Sequence, residues 1–230
     1  LDGEARLDSM VEGGWEYFLY LQGNAADFDL RIANLVSESG VGAIIFGTAG
    51  NDVFQVNAAT AVVDINGVVY DVPGPGDVAF LRFEGGAGWD VLIIHDGPGN
   101  DVIRLYRGEG TWDSNGVLAP SSWQDTEEVY FYATAGGYDR AEFYDRRLDG
   151  SGELAVKFKS EPHYNHAKMV VPGTLYHRVK LVEEVVVFAS GENDQGVLFG
   201  SPGNDRLEAQ WGCTRFQGPG FDVELRDVAF

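Results

Sequence analysis

Short apolar runs separated by Gly, Pro, Asn and Asp dominate this chain. Segments such as DVFQV (52–56), VVYDV (68–72) and DVLIIHD (90–96) alternate or run apolar over four to seven residues, as strands do. Asn66-Gly67, between two alternating runs, predicts a two-residue hairpin. The nearest approach to a helix is ADFDLRIANLV (26–36), whose apolar residues also alternate. The pattern predicts an all-β protein with less than about a tenth helix.

The apolar runs also predict which side chains form the interior. Because the runs are continuous, we expect them to cross a core shared between neighbouring repeats. The residues predicted to lie in that core are Val91, Ile93, Val102, Ile103, Val185 and Val187.

Glycine-rich turns that end in aspartate recur along the chain. GGAGWDVLI (85–93) fits the nonapeptide G-G-x-G-x-D-x-U-x of calcium-stacked β-repeats. Related turns place aspartates at Asp52, Asp90, Asp101, Asp139, Asp194 and Asp205. Carboxylate oxygens beside glycine turns are ligands that Ca²⁺ prefers, so these six residues are the candidate metal ligands.

The aspartates also reveal a repeat of about fifty residues. Asp90 and Asp101 are 11 residues apart, and so are Asp194 and Asp205. Self-similar strand-rich units of this length predict an all-β solenoid of about four repeats. Each unit is either two coils of about 25 residues or one wide coil with a hairpin excursion. The predicted boundaries are a partial repeat or cap at 1–46, repeats at 47–96, 97–146 and 147–200, and an incomplete repeat at 201–230.

Charge limits the partners that the protein can have. The formal net charge is −20, which repels nucleic acid and anionic lipid and favours metal cations. Cys213 is the single cysteine, so the chain has neither an internal disulfide nor a cysteine-built metal site. No run of about eighteen apolar residues is present, and we expect no membrane insertion.

Three segments resemble a known family. YFYATAGGYDRAEFYDR (130–146), the segment from Pro162 to Ser190, and FQGPGF (216–221) resemble repeats of large secreted and cell-surface proteins of planctomycete bacteria. The first repeat is more similar to the haemolysin-type (RTX) calcium repeat. These resemblances imply an extracellular or cell-surface location and a scaffold, adhesion or binding role.

Calcium binding and simple turn closure are the two interpretations of the aspartates. RTX loops stack because equivalent loops are eighteen residues apart, whereas equivalent loops here are about fifty apart. Calcium then requires either a coil of that length or contact between the two loops of each eleven-residue pair. In the alternative, each aspartate side chain bonds the backbone of its own turn.

Other residue groups suggest further functions. Carbohydrate binding would use a platform of Trp89, Trp112, Trp123 and Trp211 near turns. A metal site could be built from His163, His166 and His177, although residues three apart on a strand face opposite sides. Paired carboxylates for glycosidic or lyase chemistry would come from Asp145, Asp149 and Glu153.

Two functions therefore stand from the sequence. The first is a non-catalytic structural or adhesion module that binds calcium or polysaccharide and associates with copies of itself, through 223–230, or with neighbouring repeats. The second is a fragment of a polysaccharide-acting enzyme on a β-helix. Carboxylates and a base converging on one groove indicate the enzyme, whereas charges placed equivalently from unit to unit indicate the module.

Overall fold

The fold is an all-β solenoid of about five turns, as the sequence predicts. The computed structural model describes residues 35–38, 41–71, 77–152, 155–189 and 193–227. Two 3-10 helices, Ala58–Thr60 and Pro162–Tyr164, are the helical elements of these ranges. The strands are β1 Val36–Glu38, β2 Ala43–Phe46, β3 Val53–Asn57, β4 Val62–Ile65, β5 Val68–Asp71, β6 Leu81–Glu84, β7 Val91–His95, β8 Val102–Tyr106, β9 Glu109–Asp113, β10 Ser121–Gln124, β11 Glu128–Tyr132, β12 Arg140–Tyr144, β13 Lys157–Glu161, β14 His166–Val171, β15 Leu175–Lys180, β16 Glu184–Phe188, β17 Gln195–Leu198, β18 Arg206–Gln210, β19 Cys213–Gly218 and β20 Phe221–Arg226.

The strands form two sheets between which the chain alternates. The first sheet has the order β1-β2-β6-β10-β9-β8-β12-β16-β20-β19-β18, and the second has the order β17-β13-β14-β15-β11-β7-β3-β4-β5. Each repeat begins with a three-strand antiparallel meander in one sheet and continues with two single strands, one in each sheet. The meanders are β3-β4-β5, β8-β9-β10, β13-β14-β15 and β18-β19-β20.

An odd number of strands per repeat makes successive repeats start in opposite sheets. The meander of β3 lies in the second sheet, that of β8 in the first, and the alternation continues through β13 and β18. Strands of equivalent sequence are consequently not neighbours in space. β3 pairs in parallel with β7 of its own repeat. The residues that precede these two strands, Asp52 and Asp90, are 38 positions apart in the sequence. The coil that stacks is thus shorter than the sequence repeat.

The core lies between the two sheets. Three of the six residues that the sequence places in the core face outward instead. Leu92 and Ile94 of β7 are fully buried, whereas Val91 and Ile93 lie on the outer, half-buried face. Val102 also faces outward. The prediction failed because a continuous apolar run contains both faces of a strand, and nothing in VLII distinguishes them. The residues predicted correctly are Ile103, Val185 and Val187.

The predicted hairpin at Asn66-Gly67 is confirmed. β4 and β5 pair antiparallel with Ile65 opposite Val68, which leaves a two-residue turn. Asn66 and Gly67 have φ of 54° and 88°, the left-handed conformation that a tight hairpin turn requires. Among the described residues, no helix has the length and apolar character needed to cross a bilayer.

The last strand, β20, lies inside its sheet rather than at an edge. It pairs in parallel with β16 and antiparallel with β19. Its inward side chains Val223 and Leu225 are buried in the core. The part of 223–230 that the structure describes therefore offers no free strand edge, and residues 228–230 lie outside the described ranges. The edges of the two sheets at this end are β18 and β17.

Candidate functional site: two carboxylate ladders

An acidic residue precedes most of the parallel strands. In the second sheet Asp52, Asp90 and Glu127 stand directly before β3, β7 and β11. In the first sheet the corresponding set stands before the strands β8, β12 and β16, and consists of Asp101, Asp139 and Glu183. Because these strands are adjacent and parallel, their first residues stack along the solenoid. We name the sets the first ladder and the second ladder.

Within each ladder, the second and third carboxylates each accept a hydrogen bond from the backbone of the preceding coil. The N–H of Asp52 donates to Oδ1 of Asp90 at 2.8 Å, and the N–H of Asp90 donates to Oε2 of Glu127 at 2.9 Å. In the second ladder, the N–H of Asp101 donates to Oδ1 of Asp139 at 2.8 Å. The N–H of Asp139 donates to Oε2 of Glu183 at 2.8 Å. Side-chain acceptors thus continue the inter-strand hydrogen bonding into the turns, where it would otherwise stop.

The first carboxylate of each ladder in sequence order, which we call the top one, accepts a side-chain hydrogen bond from its own repeat. The Nδ2 of Asn66 in the hairpin donates to Oδ1 of Asp52 at 2.7 Å. In the second ladder the indole Nε1 of Trp112 donates to Oδ1 of Asp101 at 2.9 Å. Thr48 also donates to Asp52 from its backbone within the same turn, at 2.6 Å. Asp52 therefore closes its own turn, as one interpretation of the sequence predicts, whereas Asp90 and Asp139 join successive coils.

The residues beside the aspartates complete a reciprocal clamp. Asn51 Oδ1 accepts from the N–H of Trp89 at 2.9 Å, while the next residue, Asp52, donates its N–H to Asp90. The second ladder repeats this arrangement between Asn100 and Tyr138, also at 2.9 Å. An Asn-Asp pair on one coil therefore pairs with an aromatic-Asp pair on the next.

Glycines let these coils approach each other closely. At Gly88, with φ of 128°, an added Cβ would lie 2.6 Å from the carbonyl oxygen of Gly50. At Gly137, with φ of 137°, an added Cβ would overlap the carbonyl oxygen of Gly99. A side chain at either position would be strained by its backbone conformation and would collide with the neighbouring turn.

Burial gives the ladder carboxylates unusual acid–base properties. Asp52, Asp90, Asp101 and Asp139 are at most 1% exposed. Burial, reinforced by neighbouring carboxylates, raises the pKa of Asp90 and of Asp139 to about 6 and that of Asp101 to about 7. Side-chain oxygens of this kind need a hydrogen bond, a proton or a cation.

The second ladder holds a cluster that the first lacks. Carboxylate oxygens of Asp96, Asp101 and Asp139 lie within 4.8 Å of one another, and all three residues are buried. Asp96 is held by the N–H groups of Thr134 and Ala135 at 2.8 and 2.9 Å. Oδ2 of Asp101 is buried without a hydrogen-bond partner, as is Oδ2 of Asp90 in the first ladder. Three close carboxylates with one unsatisfied oxygen suit a hard cation such as Ca²⁺ in ligand type.

Neither of the two arrangements that the sequence suggests for calcium binding occurs as predicted, because the coil that stacks advances by 38 residues, from Asp52 to Asp90, rather than by about fifty. The two loops of an eleven-residue pair do not meet, because β7 separates Asp90 from Asp101 and spans about 16 Å at 3.3 Å per residue. The first ladder lies where the strands of the second sheet begin, and the second ladder where they end. A cation can therefore be shared only between successive coils of one ladder.

The six predicted ligands are placed in different surroundings. Asp52 and Asp90 belong to the first ladder, and Asp101 and Asp139 belong to the second. Asp194 is half-buried and accepts from the N–H of Val156 at 2.9 Å, 38 residues before it. Asp205 is exposed and bonds Ser201 of its own turn. The structure thus gathers two of the six into the three-carboxylate cluster.

Two ladder residues, Glu127 and Glu183, and one residue of the cluster, Asp96, are missing from the sequence prediction. Glu127 and Glu183 lack the glycine turn that marks the aspartates, but each opens a related segment, EEVYFYA (127–133) and EEVVVFA (183–189). That recurrence is a signal from which both could be found. Asp96 gives no such signal, since the equivalent position five residues before Asp52 is Gly47.

The tryptophans do not form a common platform for sugars. Trp112 and Trp123 are buried in the core. Trp89 is half-buried and donates its Nε1 to Glu128 at 3.1 Å, while Trp211 is fully exposed at the turn between β18 and β19. Aromatic rings also line the outer faces of the sheets, but they stack on one another and so cover each other's faces.

The predicted histidine group is likewise dispersed. His177 is fully buried, both ring nitrogens lack partners, and burial lowers its pKa to about 3, so the ring is neutral. His166 lies on the outer face beside Glu161 at 2.8 Å, and His163 lies in the 3-10 helix before it. His166 and His177 lie on opposite faces of the sheet, as the two-residue periodicity of strands requires. This placement argues against a shared metal.

The carboxylates suggested for glycosidic chemistry do not form a described pair. Asp145 is buried, and Asp149 is exposed and accepts from the N–H of Ser151 at 2.8 Å. Glu153 lies outside the described residues.

Comparison with known proteins gives no further assignment. No protein-family model matches the chain, and the search of curated proteins found no match.

Proposed function

We propose that this protein is a non-catalytic structural or adhesion module of a secreted or cell-surface repeat array, stabilised by calcium in its second ladder. The observation that carries the proposal is the equivalence of the two ladders. The same acidic positions recur from one repeat to the next, and their oxygens are used to join coils. An array needs interactions of this kind between every pair of neighbours.

The acidic groups of the ladders are poorly placed for hydrolysis of a polysaccharide. A glycosidase needs a pair of carboxylates open to a substrate. Asp96, Asp101 and Asp139 are instead at most 2% exposed, and the backbone N–H groups of the turns occupy oxygens of Asp96 and Asp139. A structural role explains both features.

Calcium is the ligand that best fits the second ladder. Asp96, Asp101 and Asp139 would supply carboxylate oxygens, and the bound ion would neutralise charges that burial otherwise makes unfavourable. Extracellular modules commonly bind Ca²⁺ at about 10⁻⁴ to 10⁻³ M. The extracellular location itself is supported by the resemblance of 130–146 to secreted repeat proteins.

Thermal unfolding with and without calcium tests the metal site. We expect Ca²⁺ at about 10 mM to raise Tm above its value in excess chelator, because a ligand at a hundredfold excess over a Kd of about 10⁻⁴ M stabilises by about 2.7 kcal/mol. Equilibrium dialysis against about 10 mM Ca²⁺ should find about one calcium bound per chain. Unchanged Tm together with no bound metal would refute calcium binding.

Two matched variants locate the ion. Asp101→Asn keeps the shape of the side chain and the acceptor for Trp112, and it should abolish the calcium-dependent rise in Tm. Asp205→Asn changes an exposed aspartate of the same sequence pattern, and it should leave that rise intact. Equal loss in both variants would contradict a site in the second ladder.

A further inference from the structure

The turn before β18 presents one half of the clamp that joins coils elsewhere in the solenoid. Gly203-Asn204-Asp205 repeats the sequence of Gly50-Asn51-Asp52 and of Gly99-Asn100-Asp101. In both earlier turns the asparagine accepts a backbone N–H, and the aspartate donates one to the next coil. Among the described residues β18 pairs with β19 alone, and none of them donates a backbone N–H to Asn204 as Trp89 does to Asn51.

The apolar surface of β18 differs from that of the equivalent strands. The second residue of each meander points into the core, where Phe54, Ile103 and Phe158 are at most 1% exposed. The corresponding residue of β18, Leu207, is 60% exposed. All five residues of β18 are exposed. The strand therefore has the sequence of an interior strand without the neighbour that would cover it.

We propose that the β18 edge binds an extended segment whose sequence is Gly-(Trp or Tyr)-Asp followed by a strand. The two complete clamps in the chain show which sequence binds an Asn-Asp turn. Gly88-Trp89-Asp90 leads into β7 beside β3. Gly137-Tyr138-Asp139 leads into β12 beside β8. In the bound segment, the aromatic residue's N–H donates to Asn204, and the aspartate accepts from the N–H of Asp205. The inference rests on the array role proposed above and adds the sequence of the partner.

The complementary partner can be taken from the chain's own sequence. A peptide of residues 85–96, GGAGWDVLIIHD, contains the aromatic-Asp half and the strand β7. Placed in the register that β7 has on β3, its leucine (position 92) lies opposite Leu207 and its isoleucine (position 94) lies opposite Ala209. Outward positions of the peptide then place no like charges against Arg206 or Glu208.

Calorimetric titration of the whole chain with this peptide is the test. We expect saturable binding with one site per chain, and amide shifts in NMR spectra confined to residues near 204–210. Asn204→Ala should weaken binding about two- to tenfold, the range expected for one lost hydrogen bond. Asn51→Ala makes the same change in a clamp that Trp89 already fills, and it should leave peptide affinity unchanged.

A modified peptide makes the assignment specific. N-methylation at the tryptophan removes the N–H that Asn204 accepts, so it should weaken binding as much as Asn204→Ala does. Combining both changes should cause no further loss. Additive losses would show that Asn204 and this N–H are not partners and would overturn the proposal, as would the absence of saturable binding.

The remaining outcomes of these experiments can be told apart. A stable dimer that the peptide neither binds nor dissociates would show that β18 pairs with a second copy, which contradicts the proposed partner. Peptide binding that is the same with calcium and with chelator is expected, because Asn204 is not part of the second ladder. Calcium binding without peptide binding would overturn only this inference, and the reverse result would overturn only the calcium site.

Discussion

The first and second ladders are built alike but differ in one residue at a decisive place. Both stack two aspartates and a glutamate, and both use the same inter-coil hydrogen bonds. Five residues before the top aspartate, the first ladder has Gly47 and the second has Asp96. The added carboxylate completes the three-acid cluster, and after burial and Asp139 it is one of the causes that raise the pKa of Asp101 to about 7.

This difference separates the hydrogen bonds that both ladders share from the carboxylate cluster that belongs to the second ladder. The shared hydrogen bonds belong to the repeat and hold coils together in either sheet. The extra carboxylate at Asp96 belongs to one position and gives that position an excess of negative charge. One acidic residue in a turn is therefore enough to complete a carboxylate cluster in a repeat.

The largest expected effect comes from the glycines that both ladders require. Gly137→Ala should destabilise the fold by about 3 kcal/mol or more, because the new Cβ meets the carbonyl of Gly99 at a positive φ. Gly88→Ala should have a similar effect beside the first ladder. Gly116→Ala, at a φ of 84° with open space around it, should cost only about 1 kcal/mol. Urea unfolding measures all three, and equal losses would show that backbone conformation alone is responsible.

The pH dependence of stability should be the next largest effect. Between about pH 4 and pH 7 the folded chain retains protons on Asp101, Asp90 and Asp139 that the unfolded chain, with an ordinary pKa of 3.8, has released. Stability in chelator must therefore fall as the pH rises through this window, by about 3 kcal/mol for a single group whose pKa is raised by about two units. Calcium should remove part of this slope by taking the place of protons.

Asp96→Asn makes the second ladder resemble the first and provides the control. The charge of Asp96 raises the pKa of both Asp101 and Asp139, so the variant should lose less stability between pH 4 and pH 7. Thermal unfolding across this range measures the slope. If the protein in excess chelator becomes more stable as the pH rises, the raised pKa values of Asp101, Asp90 and Asp139 are contradicted.

A smaller effect is expected where the ladders differ in their top donor. Trp112→Phe keeps most of the buried ring but removes the Nε1 donor to Asp101, and it should cost about 1 to 2 kcal/mol. The same change should raise the pKa of Asp101 further, because that hydrogen bond lowers it. Trp211→Phe is the matched control, since Trp211 is fully exposed, and its unfolding curve should not move.

The sequence predicts the strands and the hairpin better than it predicts their neighbours. Turn residues and alternation identify β3, β4 and β7, and Asn66-Gly67 specifies its turn locally. Stacking depends on an odd strand count that sends each repeat to the other sheet, which no single segment encodes. Asp101 and Asp139 are found from their glycine turns. Asp96 enters the site only because β7 ends where the second ladder stands, so its role depends on the tertiary structure.

The smallest effect on stability, and the sharpest test of the comparison, should come from the lowest member of each ladder. Glu127→Gln and Glu183→Gln keep a side-chain oxygen that can accept the N–H of Asp90 or Asp139, so each should change stability by less than about 0.5 kcal/mol at neutral pH. Each also removes a negative charge that raises the pKa of the aspartate above it.

The two variants should therefore act on separate ladders. Glu127→Gln should lower the pKa of Asp90 and leave that of Asp139 unchanged, because β7 keeps the ladders about 16 Å apart. Glu183→Gln should lower the pKa of Asp139 and leave that of Asp90 unchanged. NMR titration of the side-chain carboxyl carbons in chelator measures both. If either variant shifts both aspartates equally, the ladders are electrostatically coupled, and a cation bound in the second must also stabilise the first.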